Sequence, residues 1–158
     1  MSAHMSTAIK LTEGQRELIV EEAGRFAAQV QNPAAREAYR RLREEAENGA
    51  VPEELLEALG SLLRIGLGSG RIRALHGAHA EMEATSLFQK TPQGKELNAQ
   101  FDAANEMFKA LEGQELRKIT LSARGPGMYT LTVETSEAKI TTALTEAGVD
   151  VRSVEVAL

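Results

Sequence analysis

His76, His79 and Glu83 are the side chains whose types and spacing come nearest to a reactive set in this sequence. A continuous helix, turning about 100° per residue, projects all three within about a 60° arc, on the same side as Ile72, Leu75, Met82 and Leu87. Polar groups on an arc that apolar spacing marks as buried need partners. Two imidazoles and a carboxylate suit zinc or another first-row metal, and helical bundles build such sites from inward-facing side chains. The spacing is neither the Glu-x-x-His of diiron bundles nor the His-Glu-x-x-His of zinc proteases, so a further ligand has to come from elsewhere. Histidines satisfied by hydrogen bonds or standing at the core's edge are the simpler account, and a ligand or partner contact is a third.

A second candidate is the glycine run Gly66-Leu67-Gly68-Ser69-Gly70 leading into Arg71-Ile72-Arg73. Free backbone N–H groups at a helix start, with Ser69, Gly70, Arg71 and Arg73 around them, would make a small-anion site. The lysine followed by Ser or Thr that a P-loop requires is missing, as is a preceding strand, so neither standard nucleotide motif is supported. A helix–loop–helix turn, with Gly66 ending one helix and Ser69 capping the next, is the simpler account of the same residues. Nucleophilic catalysis has no foothold: there is no cysteine and no Gly-x-Ser-x-Gly run.

Five helices are expected to position these groups. Thr12 followed by Gln15 is a capping-box pattern, after which Leu18, Ile19, Phe26 and Val30 recur at helical spacing. Asn32-Pro33 starts a second helix with Ala35, Ala38, Tyr39, Leu42 and Ala46 inside, and Asn48-Gly49 stops it. Pro52 opens a third, whose Leu55, Leu56, Leu59, Leu62 and Leu63 make it central to the core. A fourth runs from Arg71 to about Thr91, and Thr91-Pro92 starts a fifth carrying Leu97, Phe101, Ala104, Phe108 and Leu111 at spacings of four and three. That stripe packs on other helices or, through Phe101 and Phe108, on a second copy.

Past Gly113 the apolar period changes to two. Ile119, Leu121 and Ala123 mark one strand, Gly125-Pro126-Gly127 a type II turn, and Tyr129, Leu131 and Val133 the return strand. Ser136 can cap a short helix carrying Ile140, Ala143 and Leu144, ended by Gly148, with a last strand over residues 149–158. This ββαβ order resembles the second half of a ferredoxin-like fold, and Ala147 to Val156 looks like the closing strand of small ligand-sensing or dimerising domains of that class. A fold-level likeness carries no function by itself. The expected fold is therefore α+β. A helical region over residues 5–113 precedes a half-ferredoxin-like ββαβ unit with a three-stranded sheet over 114–158, packed as one compact body, and Met1–His4 reads as an expression-tag remnant.

With 158 residues the chain can bury a core without staples. Its 18 Lys+Arg against 23 Asp+Glu, mixed along the length, argue against nucleic-acid binding, which needs a concentrated basic surface. Apolar runs are too short for a membrane span, and no signal peptide is visible. With no cysteine, a cytoplasmic location is expected. The function expected is a non-catalytic protein-interaction or regulatory module that needs no cofactor, with a protein partner or a second copy in a homodimer. A small-anion sensor at Ser69–Arg73 and a metal-dependent enzyme at His76, His79 and Glu83 are the alternatives.

Overall fold

The computed structural model describes residues 7–157, so the tag-like Met1–His4 lies outside the described residues. The architecture is α+β, with five helices followed by a four-stranded antiparallel sheet. Contacts divide the chain into two units, residues 1–95 and 96–158.

In the first unit, α1 (Glu13–Gln29) opens on the anticipated capping box: the Thr12 hydroxyl accepts from Gln15 N at 3.2 Å, and Gln15 Oε1 accepts from Thr12 N at 3.0 Å. Next comes α2 (Pro33–Glu47), whose first turn is capped by the Asn32 side chain accepting from Ala34 and Ala35 N–H. A ladder that periodicity did not reveal pairs β1 (Ile9–Lys10) with β2 (Ala50–Val51). Pro52 caps a 3₁₀ turn at Glu53–Leu55 rather than opening the helix directly, and α3 (Leu56–Gly68) follows. As its leucines require, α3 is the centre of the core: Leu59, Leu62 and Leu63 are fully buried with Ile19, Leu42, Ile72 and Leu87.

Gly70, not Ser69, occupies the N-cap of α4 (Arg71–Phe88), because its φ of 71° makes the reversal that a residue with a Cβ resists. Ser69 instead closes α3, its hydroxyl donating to Ile65 O at 2.7 Å. Within α4, Gly77 breaks the helix with φ 88° and ψ 176°, a conformation essentially restricted to glycine. A Cβ there would meet nothing within 4 Å, so only backbone torsion resists substitution. Gly77→Ala is expected to lower stability by about 1–3 kcal/mol in urea denaturation. A neutral result would mean that α4 can straighten through this point.

The second unit holds most of α5 (Pro92–Phe108) and the meander β3 (Leu116–Gly125), β4 (Met128–Thr135), β5 (Ala138–Thr145) and β6 (Gly148–Val156) in sequence order. The three-stranded ββαβ expectation is corrected here: the segment assigned to a helix is β5. Ile140, Thr141 and Thr142 form a β-branched run, and Ala138, Ile140 and Thr142 are buried while Lys139, Thr141 and Ala143 are not. That is the period of a strand, stiff at χ1 and suited to a pleated surface. The Pro126-Gly127 turn is where it was expected, with Gly127 at φ 73°. Along α5 and the 3₁₀ turn after it, Lys109–Leu111, the less exposed stripe is Leu97, Gln100, Ala104, Phe108 and Leu111. Gln100 replaces Phe101 in it because it lies against the β5–β6 turn, where a Cβ on Gly148 would sit 2.0 Å from its Oε1.

Candidate functional site

The break at Gly77 decides what the histidine cluster can do. The common arc required an unbroken helix, whereas His76 ends the first segment and His79 belongs to the second. His79 is 84% exposed, with Nε2 3.9 Å from Glu83 Oε1. Glu83 faces α1: its Oε2 accepts from the Thr12 hydroxyl at 2.8 Å and its carbonyl from Gln15 Nε2 at 3.3 Å, so it ties α4 to the start of α1. Among the described residues, no group of three or more His, Asp or Glu is arranged to hold a metal ion.

His76 turns instead to Glu22, whose side chain on α1 is completely buried. His76 Nε2 lies 3.0 Å from Glu22 Oε1, within hydrogen-bond distance of the carboxylate. Arg25 Nη1 is 3.6 Å from the same oxygen, and Arg71 pairs with the other. The Arg71 guanidinium also lies 5.0 Å above the Phe26 ring, which meets Tyr39 edge-on at 5.2 Å. Burial raises the Tyr39 phenol above its ordinary value. Glu22 was invisible to pattern reading because it sits among exposed glutamates on α1. The signal available was that it is flanked by Ile19, Ala23 and Phe26, on their side of the helix.

This arrangement is a clamp between α1 and α4. The Arg71 proposed for a small anion is already committed to Glu22, and Arg73 pairs with Glu81 at 2.8 Å. Ser69 and Gly70 serve the turn between α3 and α4. Glu22 has both oxygens engaged by cations or imidazole and its side chain is completely buried, so it is not presented to a substrate.

The second unit contains a surface of another kind. Ile119, Leu121 and Ala123 of β3 pair with Val133, Leu131 and Tyr129 of β4, so these six share one face of the sheet. Burial on that face fades across the sheet: Ile140 on β5 is fully buried, Leu131 and Val133 are half-buried, and Ile119 and Leu121 are 58% and 68% exposed. The chain matches no known family model, no curated protein and no solved structure.

The edges of the sheet differ from its face. Every register shift in the meander falls on an edge strand and contains an arginine: Arg117 and Arg124 in β3, and Arg152 in β6. Bulges and charged side chains are what keep an open edge from pairing with another chain. Phe101 and Met107 on α5 are exposed, while Phe108 is half-buried. No helix among the described residues is long and apolar enough to cross a membrane.

Proposed function

We propose that this protein is a non-catalytic interaction module that self-associates through the apolar face of β3 and β4. The observation that carries the reading is the strip Ile119, Leu121, Tyr129, Leu131 and Val133, in register across two strands and uncovered toward the β3 edge. Contiguous exposed apolar side chains on a soluble surface mark a contact that removes them from water, at roughly 25 cal/mol per Å² buried.

A second copy is the occupant because the strip carries no charged side chain. Two such faces meet without like-charge repulsion, and two-fold association asks only that one patch complement itself. A polyanion or an anionic membrane would require cations on the face, and these stand on the edges instead. The arginine-bearing bulges disfavour edge pairing, leaving face-to-face packing as the mode of association. NMR on an equimolar mixture of isotope-labelled and unlabelled chains tests this. Intermolecular contacts are expected at the methyl groups of Ile119, Leu121 and Leu131. Intermolecular contacts confined to α5, with none from those methyls, would move the interface to Phe101 and Phe108.

A further inference from the structure

The opposite face of the same sheet carries a different constellation. Ala143 of β5 pairs with Thr130 of β4 and lies between Thr141 and Thr145 along its strand, so a small side chain is ringed by three hydroxyls. A hollow of about 330 Å³ opens there, lined also by Met128, Arg124 and Arg152. The two arginines come from opposite edges, Arg124 from β3 and Arg152 from β6, each at a register shift. A bulge re-aims its side chain, and these two re-aim guanidiniums onto one hollow.

We infer that this hollow binds a small phosphorylated organic molecule. Its volume is at the lower end of about 300–1,000 Å³ for small-molecule sites. Guanidinium forks match phosphate oxygens bidentately, threonine hydroxyls donate to the remaining oxygens, and Met128 supplies an apolar end for the organic part. No carboxylate lines the hollow. Asp150 pairs with Arg152 at 2.9 Å, whereas Arg124 has no ion-pair partner among the described residues. A phosphate would complete Arg124 and share Arg152 with Asp150. Tyr129 of the association strip also borders the hollow, but the arginines and threonines that would hold the phosphate lie outside that strip.

Titration of the ¹⁵N-labelled protein with phenyl phosphate tests it. Saturable shifts are expected at the amides of Thr130, Thr141, Ala143 and Thr145. The double variant Arg124→Gln, Arg152→Gln should bind at least about tenfold more weakly, the loss of hydrogen bonds to a charged group. Arg117→Gln, a bulge arginine outside the hollow, should bind as before. If the double variant loses its dispersed spectrum, Arg124→Gln alone gives the same reading, since its side chain is exposed. Shifts absent from these amides, or affinity unchanged when Arg124 is replaced, would overturn the inference.

Discussion

Replacing Glu22 with alanine is expected to destabilise the helical unit by about 3 kcal/mol, at the lower end of what breaking a buried ion pair costs. The substitution leaves Arg71 and His76 facing a cavity where the carboxylate stood. Arg71 is partly exposed, at 28% of its side chain, and its rehydration is the reason for choosing the lower end. Against a total stability of about 5–15 kcal/mol for a domain, the loss should lower Tm by on the order of 10–20 °C. Calorimetry of the variant checks the value. A double-mutant cycle with Arg71→Ala checks the cause, since a coupling above about 1 kcal/mol is expected for groups in one network. A loss below about 1 kcal/mol with no coupling would mean that Glu22 does not clamp α1 to α4.

Introducing lysine at both Ile119 and Leu121 is expected to weaken self-association by at least roughly a hundredfold, since central interface residues contribute about 2 kcal/mol or more each. Both side chains are more than half exposed on β3, so the fold of a single chain should change in stability by no more than about 0.5 kcal/mol. That separation between association and folding distinguishes an interface from a core. Lysine is also the substitution that edge strands use naturally to discourage contact. Light scattering of the variant, beside its urea denaturation curve, measures both quantities. An unchanged oligomer, or a variant that associates normally but unfolds early, would contradict the assignment.

Much of this fold could be read from local signals. The capping box at Thr12 and Gln15, the Asn32-Pro33 start and the leucine-rich α3 were legible because backbone caps and apolar spacing act over a few residues. β3, β4 and the turn at Gly127 were legible for the same reason. What failed involved competition between local and longer-range preferences. In residues 138–145, Ile140, Ala143 and Leu144 satisfy a helical spacing, but the β-branched Thr141 and Thr142 and pairing with β4 and β6 on both sides settle the segment as a strand. The arc shared by His76, His79 and Glu83 assumed a continuous helix, but the torsions of Gly77 separate His76 from His79. The partner of His76 could not be found by spacing at all, because Glu22 comes from an element 54 residues earlier.

The apolar face of β3 was half legible. Alternation identified Ile119, Leu121 and Ala123 as one face of a strand, which ordinarily means a face toward a core. Only the sheet itself shows that burial fades from β5 to β3, leaving those residues exposed. The arginines at the bulges likewise look like ordinary charged residues until register places each of them at a shift.

Sedimentation equilibrium of the full chain across the micromolar range is the most direct test of self-association. A mass rising with concentration to twice 17.1 kDa, and remaining near 17.1 kDa when Ile119 and Leu121 are both lysine, is the predicted result. A single species at 17.1 kDa at every concentration would contradict it, because the β3–β4 face would then remain in water with no second copy to cover it.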